Sequence, residues 1–352
     1  MTEQTDFLKQ MISVSGLSGY EAPVARIIAD AWQPLVTRIE IGRLGGVHGL
    51  KSGVGSEPRP SILIATHMDA VGLLVTRIKD GFLHFTRIGG IDRRILPGQL
   101  VLVHGQEDLP GVIVQPPASL LPPEIGNNPV PMDYLLIDTG LPPARLEKLV
   151  KIGDTVSFAQ PPLELTGDSL AGHTLDNRAS VAALTFCLQE LQQRIHSWDV
   201  GAVATVQEEI TTAGAKTSAY QIHPDMAVVI DVTFAKGPGA SDYNTFQLGR
   251  GPTLCWGPNI HPYLYKTFKE TAERIEIPYQ IEPMAGNSGT DAIAIQISNE
   301  GIPCIVIGIP LRYMHTPVEM VSLKDIRRVG RLLAEFITHL DVDYLKKIDW
   351  NN

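Results

Sequence analysis

Residues 200–209, VGAVATVQEE, carry an almost wholly apolar segment straight into two adjacent carboxylates, Glu208 and Glu209. A short apolar run of this kind reads as a buried strand. Ending it on two like charges is costly, unless a cation lies between them or one of them takes a proton. The pattern recurs along the chain. SILIAT runs into His67 and Asp69, MAVVI runs into Asp231, and PCIVIGIPLRYM is followed by His315. Asp176 precedes a long helical segment in HTLDNR. In open α/β sheets, ligands bind outside the carboxyl ends of the strands, so these groups are expected to meet at one edge.

The strands alternate with segments of helical spacing. DNRASVAALTFCLQELQQRI places Ala182, Leu184, Leu188, Leu191 and Ile195 on one stripe, and SLKDIRRVGRLLAEFITHL closes the chain as an amphipathic helix. The alternation predicts an α/β fold with a mostly parallel sheet flanked by helices. The texture changes between residues 70 and 163. Short runs such as VGLLVTRI, GFLHFTRI and QLVLVHG are separated by Gly, Pro and Asp, which reads as a small all-β unit. The proline-rich stretch QPPASLLPPEIGNNPVP inside it is expected to be a lid, an interface or a disordered loop. The expected organisation is a discontinuous catalytic domain, 1–69 with 164–352, interrupted by a β-rich domain at 70–163. At 352 residues with 44% hydrophobic content, the chain is long enough for two cores.

Composition excludes several classes of function. The net charge is -9, which argues against nucleic-acid binding and against a polybasic membrane anchor. No apolar run reaches transmembrane length. The N-terminal residues lack a signal-peptide pattern, and a cytoplasmic location is expected. Cys187, Cys255 and Cys304 form no CxxC pair, so neither a disulfide framework nor a zinc ribbon is indicated. There is no GxSxG elbow and no phosphate-binding glycine fingerprint after a strand.

What remains is a set of imidazoles and carboxylates. His67, Asp176, Glu209, Asp231 and His315 suit zinc, with cobalt or manganese as alternatives. Five candidates, one able to bridge, fit two divalent ions better than one. Asp176 is the expected bridge. His67 would pair with Asp231 and His315 with Glu209, although spacing alone does not fix this pairing. Glu208 is left as a general base, and Asp69 as the carboxylate orienting the His67 ring. Each residue taken alone has a bland reading: a core histidine, a solvated Glu pair, or an N-cap aspartate. A lone buried Asp231 is the hardest to explain blandly. His173 is a candidate neighbour of the site and His261 a candidate pocket residue. Lys216, Arg250 and Arg312, near the motif segments, are candidates for recognising an acidic side chain, with an ordinary surface role as the bland reading.

In order and spacing, ATHMDAVGLLV, IGGIDRRILPGQLV, LDNRAS, VQEEITTAGA, VVIDVT, GTDAIAIQIS and PLRYMHTPVE resemble the glutamyl and tetrahedral (TET) aminopeptidase family. Some members of that family are named cellulases or endoglucanases. The resemblance spans about residues 5 to 340. It implies a zinc-peptidase-like domain with two metals, an inserted β-barrel-like domain used in assembly, and peptide substrates. It also implies homo-oligomers, often dodecamers built from dimers. His67, Asp176, Glu209, Asp231 and His315 match the family's ligands, Asp176 its bridge, Glu208 its base and Asp69 the partner of its first histidine. Ala70 and the segment ITTAG depart from the family pattern beside the site, which bears on substrate preference. The expected function is metal-dependent removal of N-terminal residues from peptides. The alternatives are a metal-dependent N-deacylase or carboxypeptidase on the same scaffold, or an endoglucanase.

Overall fold

The computed structural model describes residues 3–240 and 243–348; residues 1–2, 241–242 and 349–352 lie outside it. Four strands form the centre of an eleven-stranded sheet: Asp199–Thr205, Ser61–His67, Met226–Phe234 and Cys304–Arg312, side by side in that order. All are parallel, with Thr205 opposite His67 and Asp231 opposite Gly308. Nearly every residue in them is buried, as expected of strands covered on both faces. Antiparallel strands join this centre on both sides, and the edge strand Gln280–Pro283 pairs parallel with Thr253–Trp256. Val47–Lys51 pairs with Asp199–Thr205 on one side, while Thr253–Trp256 and Glu319–Ser322 pair with Cys304–Arg312 on the other. The sheet is therefore mixed, with a parallel heart.

Helices flank the sheet in two groups. Leu175–Glu190 packs against the sheet and against the helices Glu3–Ile12 and Leu323–Thr338. Ala213–Ile222 packs with the short helix Ala292–Gln296 over other parts of the same strands. Leu175–Glu190 lacks the one-sided stripe expected of it. Most of its residues are buried, because helices and sheet enclose it. Ile195 lies beyond the helix end and is exposed. Burying one such Leu or Val contributes about 1.5–3 kcal/mol, so this enclosed helix anchors a large part of the main core.

The segment from Gly72 to Phe158 forms a closed six-stranded antiparallel barrel with its own apolar cluster, including Leu73, Val75, Val101, Ile113 and Ile137. Its strands alternate in burial, as in Leu100–His104, where Val101 and Val103 face inward. One face of each strand meets water, which explains why this part reads differently from the central runs. The proline-rich stretch lies between two barrel strands. It contains the 3-10 turns Ala118–Leu120 and Pro123–Ile125, while Val130 and Met132 pack onto the barrel core.

The central helix and the closing helix meet most closely at Gly330. A Cβ there would stand 2.6 Å from the Ala183 carbonyl oxygen and 2.6 Å from the Phe186 ring. Gly330→Ala is expected to destabilise the protein by about 1–3 kcal/mol through overpacking. Denaturant unfolding checks this, and an unchanged midpoint would rule out the tight crossing.

Candidate metal centre

The site begins where parallel strands stop. His67 is the last residue of its strand, and Asp231 lies at the matching level of the next strand. The Asp199–Thr205 strand ends just before Gln207, which takes a left-handed conformation (φ 59°) and turns the chain. The turn is held by carboxylates. Glu21 accepts the Gln207 N–H (3.2 Å), and Asp69 accepts the N–H groups of Glu208 (3.0 Å) and Glu209 (3.2 Å). Gly214 lets the following helix press against Val206, since a Cβ there would collide with the Val206 backbone. Glu21 and Ser18 thus serve the site rather than capping the helix Ala22–Trp32. Ser18 donates to Asp69 (2.6 Å), and the Glu21 side chain makes no cap bond.

Asp176 does not serve as an N-cap: its carboxylate oxygens face His67 and His315 instead of a backbone N–H of its helix, and its backbone is non-helical (φ −78°, ψ 104°). Its Oδ1 is 3.2 Å from His67 Nε2, and its Oδ2 is 3.3 Å from His315 Nε2. Asp231 Oδ1 is 3.6 Å from His67 Nε2, and Glu209 Oε2 is 3.3 Å from His315 Nε2. Two triads result, His67–Asp176–Asp231 and His315–Asp176–Glu209, sharing Asp176. Glu208 Oε2 is 3.8 Å from His67 Nε2, beside the first triad. The His67, Asp176, Glu209 and Asp231 side chains are 2–8% exposed, whereas His315 is 32% exposed, so the site opens on the His315 side.

The donor spacing fits cations. With bonds of about 2.1 Å, the edge of a tetrahedral zinc site is about 3.4 Å, close to the separations within each triad. Glu209 Oε1 is buried without a hydrogen-bond partner, an unsatisfied acceptor that a cation would satisfy. The electrostatics agree. Burial opposes protonation of His315, but Asp176 and Glu209 override it and push the ring up to about 11. Burial pushes Glu208 up to about 9; His67 opposes this, while Asp231, Asp291 and Glu209 add to it. Without positive charge, the cluster holds itself together by taking up protons.

Asp69 faces the His67 ring on its Nδ1 side, with both its carboxylate and its backbone carbonyl nearby. The acceptor nearest His67 Nδ1 is the Asp69 backbone carbonyl at 3.2 Å, and the carboxylate stands 3.6 Å away. That carboxylate is engaged by Ser18 and by the N–H groups of Glu208 and Glu209. His173 lies edge-on to Phe158 (5.0 Å) in a separate cavity, and His261 is the buried N-cap of the helix Pro262–Arg274. None of Lys216, Arg250 and Arg312 lines the 430 Å³ cavity over the metal centre.

Three acidic residues were missed by sequence reasoning. Glu319 is buried and accepts the Asp176 N–H (3.0 Å) and the His315 N–H (2.9 Å), fixing these two residues relative to each other. Its signal was its place four residues after His315. Asp291 is buried behind the site, takes a hydrogen bond from Thr205, and is pushed by burial up to about 7. Glu282 lines the cavity and had no local signal at all.

This is the site of a hydrolase built on an α/β scaffold. The family model described as M42 glutamyl aminopeptidase matches residues 45–332, and the chain belongs to that family. A lysyl aminopeptidase of Pyrococcus furiosus is 32% identical over 95% of this chain and 97% of its own length. The structure of an aminopeptidase from Desulfurococcus kamchatkensis is 34% identical, covers 99% of this chain and 98% of its own, and superposes with a TM-score of 0.91. The TET1 peptidase of Pyrococcus horikoshii, whose structure is described as assembling into a tetrahedron or a large octahedral shell, is 29% identical with a TM-score of 0.83 over 96% of this chain and all (100%) of its own. The protein is a peptide hydrolase of the aminopeptidase kind.

Replacing Glu319 by Ala frees two backbone N–H groups and loosens Asp176 and His315. Outer-shell changes of this kind typically cost 10–100-fold in metal affinity, and that loss is expected for zinc in a competition titration. Wild-type affinity in Glu319→Ala would show that the bridge needs no such support.

Proposed function

We propose that the protein removes N-terminal residues from peptides using two divalent ions held by His67, Asp176, Asp231, Glu209 and His315. The observation that carries this reading is the placement of Asp176, with one oxygen toward each histidine. Zinc fits the donor set, with cobalt or manganese as alternatives. Such ions supply Lewis acidity, which acidifies water and polarises a peptide carbonyl. Glu208, beside the first triad and not needed by either, accepts a proton from the attacking water and returns it to the departing amine. Asp69 holds Glu208 and Glu209 by their backbone, so one of the pair is free for proton transfer while the other binds metal. Glu319 positions Asp176 and His315 by their backbone.

The organisation of the chain supports a larger assembly. Residues 70–163, with the closed barrel, are proposed as the assembly domain, inserted into a catalytic domain made of 1–69 and 164–352. By analogy with the TET1 structure, the protein is proposed to form a homo-oligomer, a dodecamer built from dimers, acting on short or unfolded peptides.

Aminoacyl chromogenic substrates, their N-acetylated forms and a soluble glucan test the reading together, each with stripped and metal-reloaded protein. Hydrolysis confined to free-amine substrates, lost on stripping and restored by zinc, cobalt or manganese at two ions per subunit, is the expected result. Turnover of blocked amines would move the assignment to a deacylase, and metal-independent glucan cleavage would overturn it. Glu208→Gln is expected to lower kcat by about 10²–10⁴ with both metals still bound. A fall smaller than tenfold would remove Glu208 from the base role.

A further inference from the structure

The cavity over the metal centre has a second acidic group that neither triad uses. Glu282 lies on the marginal strand Gln280–Pro283 and lines the same cavity as His67, Asp231 and His315. Its carboxylate is held by neutral donors. Thr233 Oγ1 donates to Oε1 (2.6 Å), while Thr253 Oγ1 (2.5 Å) and Cys255 Sγ (3.5 Å) donate to Oε2. Among the described residues, no lysine or arginine pairs with it. A carboxylate offers about four acceptor positions, so Oε1 keeps room for a further donor.

The sheet sets the distance between this carboxylate and the metal ligands. Asp231 is opposite Gly308 on the next strand, and Gly308 is opposite Thr253 on the strand beyond. Residues in register share one face of the sheet. Gly308 leaves a gap in that row. A Cβ there would collide with Thr253 Oγ1 and stand 3.0 Å from Glu282 Oε2 and 3.0 Å from Thr233. The Glu282 carboxylate therefore lies over Gly308, on the strand next to the one that carries Asp231. A lysine side chain ends a flexible four-carbon stem in a compact ammonium, which suits a carboxylate set one strand away from Asp231 in the same cavity. Apolar groups complete the walls: Val232, Phe234, Met284 and Met314 line the cavity. Lysine and arginine stems pack on such surfaces while their charged ends seek a partner.

We propose that Glu282 selects the side chain of the peptide's first residue and that it selects a basic one, lysine or arginine. The proposal rests on the aminopeptidase reading of the metal centre. It gives the cavity a direction, with the amide held at the triads and the side chain lying over Gly308 toward the carboxylate. An acidic side chain would meet a like charge there.

The test compares the metal-loaded wild-type protein with Glu282→Gln, which keeps the shape and one acceptor oxygen, lets the other threonine hydroxyl accept from the amide, and removes the charge. Lysyl, arginyl, leucyl and glutamyl chromogenic substrates are measured, with metal content and thermal melting determined for both proteins. Wild type is expected to favour lysyl over leucyl substrate by at least about tenfold in kcat/KM. In Glu282→Gln that ratio is expected to fall by about 100-fold, mainly through KM. A wild type that favours leucyl or glutamyl substrate overturns the proposal, and so does an unchanged ratio in the variant. If no free-amine substrate is cleaved, the aminopeptidase reading fails, and calorimetric binding of free lysine and leucine still decides the role of Glu282. Equal affinities in wild type would overturn it, whereas a lysine preference lost in Glu282→Gln would support it.

Discussion

Asp176 places its two carboxylate oxygens 3.2 and 3.3 Å from the Nε2 atoms of two different imidazoles, and most of the buried polar structure around it exists to hold that arrangement. His67 is delivered by a strand end, His315 by a turn with left-handed residues at Tyr313 and His315. Elements so distant in sequence drift relative to one another unless something ties them. Glu319 supplies one tie by bonding the backbone of Asp176 and of His315. Asp69 supplies another by bonding the turn that carries Glu208 and Glu209. Arg178 supplies a third from within the core, donating to the carbonyls of Met11, Val14 and Met68, which secures the first helix to the residue after His67.

These ties are made of charged groups, which is unusual so deep in a fold. An unpaired buried charge is strongly destabilising, and each acidic residue raises the cost of the next. Glu319 and Asp291 are both held above the usual carboxylate range, with burial the leading cause. A fold that gathers so many acids at one sheet edge gains from cations there, and metal binding and folding are then coupled. The same crowding separates the two glutamates that end the strand. Glu209 faces His315 across the second triad, while Glu208 lies beside the first. One turn with a left-handed Gln207 thus sends a pair of like charges to two different places in the cluster.

The barrel and the α/β core solve different packing problems. Central strands are buried on both faces and their residues are apolar almost without interruption. Barrel strands have one wet face and alternate. The two clusters are separate, so the barrel does not compete with the α/β core for apolar residues.

The amino-acid order by itself determined which runs are buried strands, where their charged ends fall and where the texture changes to short barrel strands. Those properties follow from local hydrophobic periodicity, which needs no knowledge of neighbours. It also marked His67, Asp176, Glu208, Glu209, Asp231 and His315, because ionisable residues at the ends of apolar runs stand out in any context. Only the tertiary structure decided which oxygen of Asp176 faces which histidine, and that the Asp69 carboxylate serves the backbone of Glu208 and Glu209 more closely than the His67 ring. It alone brought Glu282 from a marginal strand into the cavity and left Lys216, Arg250 and Arg312 outside it. Such outcomes depend on strand register and side-chain rotamers across pairings far apart in sequence. A shift of one residue in register would turn Asp231 or Thr233 to the opposite face.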